Sequence, residues 1–124
     1  MIVGIGIDIT EQKRIMQAID KYNHRFLQRV FTQAEILLCK QRSIEHYVGK
    51  FAAKEAFMKA IGAGFYQHVY FRDIEILNRA SGAPYINTYG TARQIFTQLA
   101  VTTVHLTLSH SAGIAVAVVV LEKN

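Results

Sequence analysis

Ile2-Val3-Gly4-Ile5-Gly6-Ile7-Asp8 opens the chain, and its reading decides the fold. Residues 2–7, rich in Ile and Val, form a buried strand, and the glycines at 4 and 6 let a neighbouring backbone approach closely. A glycine-rich strand end also invites a dinucleotide-binding reading. Here, however, the run is Gly-x-Gly-x-Asp and the third glycine is absent. Past the strand, Asp8 and Thr10 offer helix caps, and Asp8-x-x-Glu11 has capping-box spacing. From Glu11 the period turns helical, with Ile15, Ile19, Tyr22 and Phe26 on one stripe. Thr32-Gln33-Ala34-Glu35 is a second capping box, opening a short helix. Ser43 caps a third helix that runs to Ala60, with Gly62 placed to end it in a left-handed conformation.

The second half reads differently. Val69 to Leu77 is strand-like, Ala80-Ser81-Gly82-Ala83-Pro84 is a turn, and Tyr85–Tyr89 completes a hairpin. Thr91 to Ala100 forms a short helix. Val104–Leu108 and Ile114–Leu121 are strands joined through Ser109–Gly113. Helices early and antiparallel strands late predict an α+β fold, a mainly antiparallel sheet packed with helices, rather than a doubly wound parallel sheet.

At 124 residues, with 51% hydrophobic and 19% charged positions, the chain can bury a real core, which excludes a disordered or fibrous class. No repeat, linker or composition break divides it, so residues 1–124 read as a single domain. One cysteine, Cys39, excludes an intrachain disulfide framework and fits a reducing cytosol. The apolar start stops at Asp8 without a positive leader, and Ala112–Leu121 falls short of the roughly 20 residues of a spanning helix. A soluble cytoplasmic protein, with no membrane partner, is expected.

Fourteen Lys and Arg against nine Asp and Glu leave a net charge of +5, so an anionic partner is expected. Ten of those cations, with six acids, lie before residue 60. Arg14, Lys21 and Arg25, spaced 7 and 4 apart, share one helix face as a basic ridge. A nucleic-acid-binding reading fails because Lys and Arg are few after residue 60 and no readout motif appears.

Taken by itself, Asp8 reads as a helix cap and Glu55 as an i,i+4 partner of Lys59. Glu55 nonetheless lies among Ala52, Ala53 and Ala56, where a carboxylate needs a partner. Two carboxylates from separate elements suit Mg²⁺, which takes the rest of its octahedron from waters and substrate phosphates. Lys50, Lys54 and Lys59 nearby would balance those phosphates. Ser109-His110-Ser111 lacks a nucleophile elbow, and the five scattered histidines do not support zinc.

Gly4-Ile5-Gly6-Ile7-Asp8-Ile9-Thr10-Glu11 with Arg14 resembles the first signature of the holo-acyl-carrier-protein synthases. Phe51-Ala52-Ala53-Lys54-Glu55-Ala56-Phe57 with Lys59-Ala60 and Gly62 resembles the second. Arg29-Val30-Phe31-Thr32 with Glu35, Gly82-x-Pro84 and Leu108-Ser109-His110 match weaker blocks in the same order. The resemblance implies the short trimeric type of the 4′-phosphopantetheinyl transferase superfamily and its fold. Such an enzyme moves 4′-phosphopantetheine from coenzyme A to a serine of apo acyl carrier protein. It releases adenosine 3′,5′-bisphosphate and serves fatty acid biosynthesis. It further implies Mg²⁺ on Asp8 and Glu55, and Lys59 on phosphate as a catalytic group. Gly62, Gly64, Gly82, Pro84 and His110 would line the nucleotide site. Arg14, Lys21 and Arg25 would receive the acidic carrier, in a homotrimer with active sites between subunits. The chain departs from the family at Ala63, Ala83 and Lys50, where a Thr, a Lys and an Arg are common. A non-catalytic trimeric relative is disfavoured by retention of both Asp8 and Glu55.

Overall fold

The computed structural model describes residues 1–62 and 69–124. The order is β1 (Ile2–Glu11), α1 (Gln12–Tyr22), α2 (His24–Val30), α3 (Gln33–Cys39) and α4 (Ile44–Ile61). A 3₁₀ turn (Phe71–Asp73), β2 (Ile74–Asn78), β3 (Pro84–Thr88), α5 (Gly90–Gln98), β4 (Thr103–Ser111) and β5 (Ile114–Glu122) follow. Among the described residues every strand pairing is antiparallel, in a three-stranded sheet of order β1-β5-β4 and a separate β2-β3 hairpin. The expected α+β class is the one observed.

Helix α4 is the spine, laid on one face of the larger sheet. Alternation puts Gly4, Gly6, Asp8 and Thr10 of β1 on that face, opposite Leu121, Val119, Ala117 and Ala115 of β5. A Cβ on Gly4 would stand 2.1 Å from the Ala60 carbonyl oxygen, and one on Gly6 1.8 Å from that of Ala56. Both glycines therefore exist so that β1 and α4 can touch backbone to backbone. The alanines at 52, 53, 56 and 60 of α4 are buried at the same seam, with Phe51, Phe57, Val119 and Leu121 filling the core around it. Gly62 ends α4 with φ 75°, as its position predicts.

The opposite face of β1 is apolar and open. Ile5, Ile7 and Ile9 are 63%, 53% and 64% exposed, and beside them stand the half-buried Val120, Val118 and Val116 of β5.

Several boundaries differ from the sequence reading. Strand β1 continues through Asp8 to Glu11, and Glu11 holds the N-cap position of α1 without a side-chain bond, so Asp8 caps nothing. The first helix does not run through to Phe26: Asn23, at φ 50°, breaks it, and Arg25 sits on α2 rather than α1. The Thr32/Glu35 capping box forms as expected. Of the Val69–Leu77 stretch only the part from Ile74 onward is strand, after the 3₁₀ turn, and β2 runs one residue further to Asn78. Between β4 and β5 the turn is just Ala112-Gly113, at φ 51° and 76°. Both positive angles match the right-handed twist of a tight hairpin. Ser109 and His110 thus lie on β4 itself.

Candidate functional site

Because Ala56 and Ala60 seat on Gly6 and Gly4, the neighbouring positions Glu55 and Lys59 come to the β1 edge of the helix. Asp8, two residues beyond Gly6 on the same strand face, meets them there. The Thr10 hydroxyl donates to Asp8 Oδ2 at 2.5 Å. Lys59 Nζ donates to the Ile7 carbonyl at 3.0 Å and to Asp8 Oδ1 at 3.4 Å. Lys59 therefore pairs with Asp8, and the expected Glu55–Lys59 ion pair is not among the described ones. Asp8's side chain is only 13% exposed, while that of Lys59 reaches solvent.

Glu55 is half-buried. Burial, and then the Asp8 carboxylate beside it, raise its proton affinity above the ordinary range, with Arg14 and Lys59 opposing. Arg14 is held at that rim with its guanidinium 5.5 Å from the centre of the Phe51 ring. Two like carboxylates on facing elements repel, and only a cation between them, or a proton, relieves that. No group of three or more metal-ligating side chains occurs among the described residues. The all-oxygen pair suits a hard ion such as Mg²⁺, which needs few protein ligands when a substrate supplies phosphate oxygens.

The other two lysines of the second motif do not join this site. Lys54 turns to the far side of α4 and is fully buried against Glu35 at 2.7 Å, with further bonds to the carbonyls of Phe71 (2.9 Å) and Ile74. Glu35 Oε1 also accepts from Thr32 N, and its Oε2 from Ile76 N, each at 2.8 Å. Lys50 reaches the Ile76 carbonyl at 2.7 Å and Asn78 Oδ1 at 3.2 Å. Both lysines tie the β2–β3 hairpin to α4. They balance backbone carbonyls and a buried acid, not a phosphate near Asp8. Sequence reasoning missed this clamp, although two Lys four apart on an alanine-rich helix are a signal that one face is buried around them. It also missed Thr10 as the residue that orients Asp8, which the period of two along β1 places on the same face.

The nucleotide-lining candidates fall elsewhere in the same chain. His110 faces α4 too, but it pairs with Ala115, which in turn pairs with Thr10. Two strand spacings, about 10 Å, therefore separate it from the Asp8 strand. With Gln12, Glu45 and Ser111 it lines a cleft of about 110 Å³. Nearby His46 is made a weaker base by its burial, then by Arg42, Lys50 and His110, so positive potential gathers here. Pro84 borders another cleft, of about 620 Å³, with Arg79, Tyr85 and His105. Gly82, at φ 93°, shapes the preceding turn. Gly64 lies outside the described residues, and Gly62 closes α4 half-buried. One copy of the chain thus joins Asp8, Glu55, Lys59 and Arg14, and holds His110 and Pro84 apart from them.

Arg14 and Lys21 are exposed on α1, and Lys21 Nζ stands 5.2 Å from the Tyr22 ring centre. On α2, Arg25 and Arg29 line a cleft of about 290 Å³ with Tyr22 and Phe26. The ridge is thus basic, with aromatic rings between its cations, and bends at Asn23.

Comparison with known proteins places this arrangement. A family model described as the 4′-phosphopantetheinyl transferase superfamily matches residues 4–119. A holo-[acyl-carrier-protein] synthase of Halothermothrix orenii is 44% identical, with all of both chains covered. The crystal structure of the holo-[acyl-carrier-protein] synthase of Neisseria meningitidis superposes with a TM-score of 0.89 at 37% identity, over 99% of this chain and all of that one. The corresponding Helicobacter pylori enzyme, solved in complex with coenzyme A, gives 0.84 at 34%, over 95% of this chain and 99% of its own.

Proposed function

The chain belongs to the 4′-phosphopantetheinyl transferase superfamily, and we propose that it acts as a holo-[acyl-carrier-protein] synthase in one domain spanning residues 1–124. It transfers 4′-phosphopantetheine from coenzyme A to a serine of apo acyl carrier protein in the cytoplasm, for fatty acid biosynthesis. The observation that carries this reading is the Asp8–Glu55 pair, two repelling carboxylates held by β1 and α4 with Lys59 beside them.

Asp8 and Glu55 would hold Mg²⁺, which when bound neutralises charge developing on the coenzyme A pyrophosphate. Thr10 and Lys59 fix the Asp8 carboxylate from both sides. The exposed Lys59 ammonium is a point charge for a phosphate oxygen. The carrier's serine oxygen attacks the phosphorus that bears pantetheine, the bond to adenosine 3′,5′-bisphosphate breaks, and the serine proton passes to a water held near Asp8 and Glu55. Arg14, Lys21 and Arg25 receive the acidic surface of the carrier. Gly62, Gly64, Gly82, Pro84 and His110 contact the nucleotide.

Two features support the homotrimer reading. The open face of Ile5, Ile7 and Ile9 with three valines is apolar surface of the kind that marks a protein contact. The separation of His110 and Pro84 from Asp8 is resolved when one copy supplies the carboxylates and its neighbour the nucleotide contacts.

Incubation with coenzyme A, Mg²⁺ and apo carrier protein, followed by mass spectrometry of the carrier, tests the reading. A gain of one phosphopantetheine is expected with the wild type, and none with Asp8→Ala or with the metal chelated. Transfer by a folded Asp8→Ala would remove the metal assignment, and no transfer to any apo carrier would remove the activity. Arg14→Ala is expected to raise KM for the carrier more than for coenzyme A, with an effect that shrinks at high salt.

A further inference from the structure

A glycine inside a helix is costly, because it gives up more backbone freedom on folding than alanine and adds no packing. Gly49 stands five residues into the 18-residue helix α4, buried and without a positive φ to demand it. Gly4 and Gly6 of β1 are explained by backbone: a Cβ there would strike carbonyls of α4. Gly49 is different. A Cβ at this position would come within 2.9 Å of His110 Cε1 and 3.0 Å of His110 Nε2, and the next atom, on Leu108, is at an ordinary 3.8 Å. The fold would accept alanine; the imidazole would not.

We propose that Gly49 is a positioning residue whose missing side chain leaves room for the edge of the His110 ring against the α4 backbone, and so fixes the imidazole that contacts the nucleotide of coenzyme A. The inference rests on the nucleotide-binding role proposed above for His110. The flank is positive: Arg42, Lys50 and His110 all lower the proton affinity of His46, with Glu45 the acid opposing them, and of these Lys50 is itself buried on the hairpin. With its Cε1–Nε2 edge set against the Gly49 backbone, the otherwise exposed imidazole keeps its position without holding a rotamer against solvent. Pushed outward by a methyl group it would lose both position and that support.

Steady-state kinetics on the full chain test this with Gly49→Ala, His110→Ala and the double variant, alongside thermal melting. Gly49→Ala is expected to raise KM for coenzyme A about tenfold, the scale of one lost charge-assisted hydrogen bond, with kcat within about twofold. Its melting midpoint should be unchanged or higher by roughly 2–4 °C, since alanine is the better helix former. His110→Ala should raise the same KM by as much or more, and adding Gly49→Ala to it should do nothing further. A wild-type KM in Gly49→Ala, a lowered midpoint, or an undiminished Gly49→Ala effect in the His110→Ala background would each overturn the proposal. A wild-type KM in His110→Ala alone overturns the nucleotide role of His110, and the positioning role falls with it. That outcome is told apart from the first because His110→Ala, not Gly49→Ala, reports it.

Discussion

Removing Lys54 should unfold the chain far more readily than removing any exposed lysine. Its ammonium and the Glu35 carboxylate are both fully buried, 2.7 Å apart. Burial alone drives the lysine's proton affinity down, and Glu35 holds it up. Lys54→Met leaves that carboxylate without its cation and the carbonyls of Phe71 and Ile74 without a donor. Breaking one side of a buried pair costs about 3–5 kcal/mol. For a chain of 124 residues the total stability is of the order of 6–19 kcal/mol, so a large share is at stake. The melting midpoint should fall by about 10–20 °C. Glu35→Gln should cost a similar amount. Both carboxylate oxygens accept backbone N–H bonds, so the amide nitrogen must face a donor wherever it points. The double variant strands no charge and should cost clearly less than the sum, by about 1–3 kcal/mol. Urea unfolding followed by circular dichroism, at one fixed protein concentration, measures all three. A loss below about 1 kcal/mol for Lys54→Met, or strict additivity in the double variant, would refute the argument that this pair clamps α4 to the hairpin.

Three further outcomes follow from the same geometry. Gly6→Ala places a methyl group 1.8 Å from the Ala56 carbonyl oxygen, so α4 must move away. We expect a loss of about 3 kcal/mol or more by thermal melting, with Glu55 displaced and transfer abolished. Glu55→Gln abolishes transfer yet should stabilise the metal-free chain. The folded chain holds this carboxyl's proton above the ordinary value of 4.5, so its ionised form is a penalty that is absent below that pH and grows as pH rises. The variant should therefore melt about 1–3 °C higher at pH 7 and lose that gain below pH 4.5, and an unchanged midpoint at pH 7 would contradict it. Ile7→Glu, on the open sheet face, should leave the circular dichroism spectrum intact and yield monomers in sedimentation velocity, with transfer lost; wild-type sedimentation would show that this face is not the contact between copies.

Asp8 and Glu55 stand out in the sequence because their neighbours are small or apolar, but it is the family resemblance that joins them as a metal-binding pair. Such patterns are local, and local patterns set local structure. The Thr32/Glu35 capping box and the glycine ending α4 were readable for the same reason, whereas the strand read as buried has Ile5 and Ile7 exposed on its outer face. Less visible were the partners of side chains that leave their own element. Lys50, Lys54 and Lys59 share one helix and look equivalent in sequence. Their fates differ because α4 packs on the sheet with one face and on the hairpin with another. Asp8 looked like a cap since its spacing to Glu11 fits one, but the pairing of β1 with β5 extends the strand past it, and only the sheet supplies those hydrogen bonds. Asn23 broke a stripe that periodicity alone carried through to Phe26.

Sequence by itself therefore determined the class of fold, the elements that carry the two carboxylates, and the charge that suits an anionic partner. Tertiary structure decided which lysine stands at the site, why Gly4 and Gly6 are glycines, and that His110 lies two strands away from Asp8. The physical reason is range. Helix periods, caps and turns are fixed by residues a few positions apart, whereas burial of an ammonium or the contact of two backbones depends on segments 19 to more than 50 residues away.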